Sequence, residues 1–170
     1  MATDDFVLRT PRFGLRPHRP DDVPFMVALN ADPEVTRYTG DPPHTTPAQA
    51  ADIVRALQRQ FDERRMGRFV VEDLATGEKV GWCGLRWMEA EQAPDLGYRF
   101  FRAHWGRGIA SETGEACVRY GLETLGYRRL VAQVAAENVA SMRVLQKLGF
   151  TQYGTGSACG PLTLLLERHG

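Results

Sequence analysis

Gly106 and Gly108 stand one residue apart in the stretch His104 to Glu112 (HWGRGIASE), between an extended segment, Leu96 to Phe101 (LGYRFF), and the start of an amphipathic helix. That arrangement can grip an anion. Without a Cβ, both residues let the backbone turn tightly and bring its amides close to a ligand. The first helical turn beyond them leaves N–H groups unpaired and carries roughly half a positive charge. A phosphate or diphosphate would satisfy those groups. Other residues of suitable type lie further off: the strand-end acids Glu89 and Asp95, Asn138 with Ser141 at a second helix start, and Tyr38 and His44 in a long loop.

Three readings of the glycine stretch compete. In one, the glycines serve only the packing of a strand-to-helix turn. In another, Gly106, Gly108 and Ser111 imitate a dinucleotide-binding G-x-G-x-x-G, but that fingerprint needs an acidic residue about twenty positions on. The basic pair Arg128 and Arg129 occupies that region instead. The third is the diphosphate loop of an acyl-coenzyme A transferase, and the remainder of the chain tests it.

The elements that must position these residues follow from periodicity. With 170 residues, the chain reads as one domain able to bury about two thirds of its unfolded surface. Phe13 to Arg19 alternates apolar and basic side chains as a short strand. Pro20 to Asp22 opens a helix over Val23 to Asn30, and Asp32 to Thr46 is a long loop of the kind that often binds ligands. A helix starts at Thr46 or Pro47, runs to about Arg65 and ends at Gly67. Arg68 to Asp73, Val80 to Glu89 and Asp95 to Phe101 are three strands joined by short turns, the second through Ala93 and Pro94. Such a meander is antiparallel and speaks against a dinucleotide fold.

Ile109, Thr113, Ala116, Cys117 and Tyr120 form one helical stripe ending near Gly126. Arg129 to Ala135 should then lie parallel to the strand before that helix, because a helical crossover joins them. Asn138 begins a last helix, Val139 to Leu148, which Gly149 ends. Phe150 to Gly154 and Leu162 to Glu167 are two final strands around a glycine-rich turn. The expected class is α/β (α+β): a mixed, largely antiparallel twisted sheet flanked by helices, with a central strand-helix-strand crossover.

Composition narrows the partners. Lys plus Arg and Asp plus Glu number 21 each, so no bulk affinity for nucleic acid is expected and any phosphate binding is local. Cys83, Cys117 and Cys159 are odd in number, widely spaced and set in apolar or small-residue runs. They read as reduced core residues of a cytoplasmic protein. No signal peptide, and no apolar run of the roughly 18 residues a membrane span requires, is evident. The cysteines and histidines lack zinc-ligand spacing, and no nucleophile triad is evident.

Together LGYRFFRAHWGRGIASE and ENVASMRVLQKLGF resemble the GNAT-type N-acetyltransferases, in particular their ribosomal-protein N-acetyltransferase branch. The resemblance covers essentially the whole chain, including NADPEVTRY in the first loop. It implies acetyl-CoA as co-substrate, with its diphosphate held by backbone amides of the motif at Trp105, Gly106, Arg107, Gly108, Ile109 and Ala110. Trp105 departs from the usual Gln or Arg, a change that amide binding tolerates. It also implies that the two parallel strands splay apart to admit the pantetheine arm, with Tyr98, Arg99 and Phe100 as backbone partners.

Asn138 is by residue type a helix N-cap. The resemblance adds cofactor contact by Asn138 and Ser141, with Ser141 as a hydrogen-bond donor to sulfur, because Leu145 stands where many members carry an acidic tyrosine. An amine acceptor needs a base, for which Asp95 and Glu89 are candidates and His104 a weaker one. The implied reaction is direct attack of a primary amine, of a protein amino terminus or a small molecule, on the acetyl thioester in a ternary complex. A non-catalytic acyl-CoA-binding or sensor module is the alternative, favoured by Leu145. No nucleic-acid or membrane partner is expected, and the last strands leave room for a homodimer.

Overall fold

In a computed structural model, which describes residues 5–41 and 45–170, two short strands open the chain: β1 (Leu8–Arg9) and β2 (Phe13–Arg16). A 3-10 turn, Pro20–Asp22, leads into α1 (Val23–Asn30), followed by one turn of helix, α2 (Pro33–Thr36). α2 lies within the segment that reads as a loop. Asp32 caps it by accepting from the Glu34 amide at 3.0 Å, and Pro33 supplies a preset φ at the first position. His44 lies outside the described residues.

α3 (Pro47–Arg64) starts with a capping box. Thr46 Oγ1 accepts from the Gln49 amide at 3.2 Å, and Gln49 Oε1 accepts from the Thr46 amide at 3.0 Å. It ends at Arg65, which takes the left-handed φ of 58° two residues before the expected glycine. β3 (Arg68–Asp73), β4 (Lys79–Met88) and β5 (Ala93–Phe100) make the antiparallel meander. Ala93 and Pro94 belong to β5 and pair with Met88 and Trp87. The turn falls earlier, where Gln92 adopts a φ of 48°.

After a 3-10 turn, Arg102–His104, comes α4 (Ile109–Arg119), continued by a π turn to Thr124. β6 (Arg129–Ala135), α5 (Val139–Lys147), β7 (Thr151–Gly156) and β8 (Thr163–His169) complete one eight-stranded sheet ordered β1-β2-β3-β4-β5-β6-β8-β7. This is the mixed, largely antiparallel, helix-flanked architecture that the pattern of elements implies. β6 runs parallel to β5, as its crossover requires.

The sheet has an apolar layer on each face. Ile109, Cys117, Val118, Leu145 and Leu148 pack from α4 and α5 and the residue following it, and Phe25, Met26, Leu29, Ala50 and Val54 from α1 and α3 on the other. Cys83 and Cys117 are buried thiols in the first layer, their sulfurs 3.7 Å apart, whereas Cys159 is half-buried outside it. No helix among the described residues is long and apolar enough to cross a membrane.

Candidate active site

β5 and β6 share a single register pair, Asp95 with Val131, while β6 pairs with β8 along its whole length. Beyond that pair the two parallel strands diverge. A cavity of about 320 Å³ fills the gap, lined by Leu96 to Arg99 on one strand and Gln133 to Ala135 on the other. Since side chains alternate along a strand, Asp95, Gly97 and Arg99 face the α1 and α3 side, and Leu96, Tyr98 and Phe100 face α4 and α5. The cavity therefore connects the two faces of the sheet.

On the α5 face, Tyr98 Oη lies 2.7 Å from Ser141 Oγ and donates at 3.3 Å to the Ser141 carbonyl. Burial pushes the Tyr98 hydroxyl well above its ordinary pKa, against a smaller opposing effect of the Ser141 hydrogen bond, so it stays protonated. Asn138 acts as the N-cap of α5, its Oδ1 accepting from the Ser141 amide at 3.2 Å, and it lines the cavity too. Leu145, 2% exposed, belongs to the apolar layer and closes the cavity from below.

On the opposite face stand Asp95, Arg68, Arg86, Arg99, Trp82, Asp41 and Tyr38. Asp95 is 4% exposed. Its Oδ2 accepts from Arg68 Nη2 at 2.6 Å, and Arg86 approaches to 3.8 Å. Burial raises the Asp95 pKa, with Arg68 and Arg86 pulling the other way, and burial lowers that of Arg68 to about 10. Glu89 is exposed, and its carboxylate accepts from Trp87 Nε1 and Gln92 Nε2 outside this cavity. His104 faces Glu78 at 3.3 Å and is likewise not part of the lining.

The glycine turn sits at the end of β5. Gly106 and Gly108 take φ angles of 73° and 75°, in the left-handed region where a Cβ is strained. The Trp105 amide is spent on the Arg102 carbonyl at 3.1 Å. From Gly106 to Ala110, no amide meets an acceptor among the described residues. Trp105 is 47% exposed, and its Nε1 donates to the Phe100 carbonyl at 2.9 Å, folding the loop back onto the strand end. Arg107 and Gly108 are exposed, Ile109 is buried and Ala110 half-buried.

Arg12, which sequence reasoning passes over, fixes this turn. Its Nε donates to Glu112 at 2.7 Å and its Nη2 to the Arg107 carbonyl at 3.0 Å. Burial opposes ionisation of Glu112, but hydrogen bonds from Thr10 and Arg12 outweigh it and hold that carboxyl below its ordinary value. Arg68, Arg86 and Trp82 carry no local sequence signal, because only strand register brings them to Asp95. Tyr38, expected as a loop contact, does line the cavity.

Known proteins share this fold. Residues 12–151 match the family model described as acetyltransferase (GNAT) domain. An uncharacterized N-acetyltransferase, p20, of Bacillus licheniformis is 33% identical over 148 residues, 86% of this chain and 83% of that protein. A spermidine N(1)-acetyltransferase of Escherichia coli is 25% identical, over 82% of this chain and 73% of its own. Among solved structures, a GNAT-family acetyltransferase from Bordetella pertussis, described there as putative, superposes with a TM-score of 0.82 at 28% identity, covering 95% of this chain and 98% of that one. The chain thus belongs to the GNAT family, and is an acetyltransferase.

Proposed function

We propose that this acetyltransferase, working in the cytoplasm, moves the acetyl group of acetyl-CoA onto a primary amine by direct attack in a ternary complex. The observation that carries the reading is the cavity through the splayed strands, with the Tyr98–Ser141 pair on one face and Asp95 on the other. The donor's diphosphate takes the amides from Gly106 to Ala110, with Arg107 free to add a charge-assisted contact. The pantetheine arm lies along the diverging edge of β5, partnered by the backbone of Tyr98 and Arg99. The Phe100 carbonyl already accepts from Trp105.

The amine nitrogen forms its bond to the carbonyl carbon, backbone N–H groups of β5 stabilise the oxyanion, and the C–S bond then breaks. One proton leaves the amine nitrogen and one ends on sulfur. Asp95 is the base the geometry favours over Glu89, since it faces the cavity. Ser141 Oγ, held 2.7 Å from Tyr98 Oη, supplies the proton to sulfur in place of the tyrosine that Leu145 displaces, and Tyr98 positions it. The motif resemblance to the ribosomal-protein branch supports amino termini among the acceptors, and exposed β7, at the free edge of the sheet, is where a homodimer would pair.

Release of free thiol from acetyl-CoA, followed with and without amines, tests this reading. Thiol should appear only when an amine is present. Because a thiol of pKa near 8.5 leaves readily, Ser141→Ala and Tyr98→Phe should each lower kcat by only about tenfold. As the two hydroxyls act together, the double variant should lose little more than either alone. Thiol release independent of amine would count against the ternary mechanism.

A further inference from the structure

The acceptor face of the cavity holds three guanidinium groups, of Arg68, Arg86 and Arg99, against two carboxylates, of Asp41 and Asp95. Arg99 is already committed, donating to Asp41 at 2.7 Å and to Asn30 Oδ1. Arg68 depends on two glycines. Its register partner Gly84 sits against the backbone of Gly67 and Arg68, and on the strand beyond it a Cβ on Gly97 would meet the guanidinium at 2.7 Å. The arginine lies over Gly97 to reach Asp95 with Nη2, and Nη1 has no hydrogen bond among the described residues. The ring of Trp82 lies under both Arg68 and Arg99, at 4.7 and 5.4 Å.

Arg86 differs from the other two. Its side chain is 51% exposed, its 3.8 Å approach to Asp95 is too long for a hydrogen bond, and it makes none elsewhere among the described residues. A wall of one excess positive charge thus presents the half-exposed guanidinium of Arg86, without a hydrogen bond among the described residues, beside a spare donor of Arg68. Arg86 and Asp95 are cross-strand partners, and such side chains start about 5 Å apart. An amine near Asp95 and an anion on Arg86 would then be a few bonds apart in one molecule.

We infer that the acetylated amine carries a carboxylate, gripped by Arg86 and Arg68 while the amine sits toward Asp95. The inference rests on the amine-acetylating reading and narrows it to a free amino acid, or a peptide amino terminus with an acidic side chain close by. A polyamine tail would meet like charge on this wall, whereas a carboxylate forms a charge-assisted, bidentate pair with arginine. Arg86 is in this account a substrate-binding residue.

The test compares free amino acids, acidic peptides, the carboxamide of each and spermidine, by acceptor-dependent thiol release from acetyl-CoA. Acids should exceed their own carboxamides by at least about tenfold in kcat/KM, since a site built for a polar group rejects the analogue lacking it. Arg86→Gln should raise KM for the acid about tenfold more than KM for its carboxamide, whereas any change in kcat that reaches the reaction through Asp95, 3.8 Å away, should be common to both. Which acids respond, free or peptide-borne, identifies the source. Equal use of acid and carboxamide, preference for spermidine, or an Arg86→Gln effect alike on acid and carboxamide overturns the inference while leaving amine acetylation standing. If no amine releases thiol, the amine-acetylating reading itself fails, and this inference with it.

Discussion

With valine in place of Gly108, acetyl-CoA is expected to bind about a hundredfold more weakly, the loss of one or two charge-assisted amide contacts at about 1.5–3 kcal/mol each. The reason is conformational. Gly108 caps α4 at a φ of 75°, and a β-branched residue is a genuine outlier there. A Cβ would also stand 3.6 Å from Arg12 Nη2, ordinary contact, so crowding is not the cause. To escape the left-handed region the chain must rotate the peptide units on either side, turning their amides away from a common point. Titration calorimetry with acetyl-CoA measures the loss, and thermal unfolding without ligand should move by only a few degrees. Unchanged affinity would show that these amides do not hold the cofactor.

The second large effect concerns stability. Asp22 has 0% exposure and is the centre of an ion cluster, accepting from Arg16 at 2.8 and 3.0 Å, Lys79 at 2.7 Å and the Arg19 amide at 2.7 Å. Arg16, itself 3% exposed, also donates to Glu72 at 2.6 Å. Asp22→Ala would leave buried Arg16 with only Glu72 and the Pro17 carbonyl and would take the carboxylate from Lys79, so the loss should lie toward the lower end of the about 3–5 kcal/mol that breaking a buried pair costs. Chemical denaturation should show a midpoint shift with little change in slope. A loss below about 1 kcal/mol, the range of exposed pairs, would refute the buried-network account.

Acid should expose the same region. Burial opposes ionisation of Asp22, yet Arg16, Lys79 and the Arg19 amide hold its carboxyl far below the usual carboxylate range. Its contribution is present above the unfolded pKa of about 4 and is lost as pH falls below that. Neighbouring His18, 3% exposed, has its pKa lowered by burial from 6.5 to about 4, with Asp22 opposing. Between those values the unfolded chain binds a proton that the folded chain refuses, so stability falls as pH drops, by about 3 kcal/mol over the window. His18→Leu should flatten stability across it.

Much of the framework around this candidate site could be read from the sequence. The glycine spacing marked the turn at which Gly106 and Gly108 take positive φ, and the change from period two to helical period placed the crossover that makes β5 and β6 parallel. Asn138 announced its cap by residue type. What stayed hidden depended on register. Arg68 is separated from Asp95 by 27 residues, and nothing local marks Gly97 as the residue beneath its guanidinium. Glu89 and Asp95 look alike as strand-end acids, but the turn falls before Ala93, which leaves one exposed and carries the other into the sheet. Tyr98 passes as a strand aromatic until α5 folds Ser141 onto it.

Calorimetric mixing of the purified protein with coenzyme A, beside pantetheine, which lacks the diphosphate, tests the phosphate cradle most directly. The arrangement from Gly106 to Ala110 predicts a saturable heat with coenzyme A, binding of pantetheine weaker by at least about a hundredfold, and a smaller gap between the two in the Gly108→Val variant, which removes amide contacts but leaves the nucleoside. Equal affinity for the two, or no heat with coenzyme A, would contradict it.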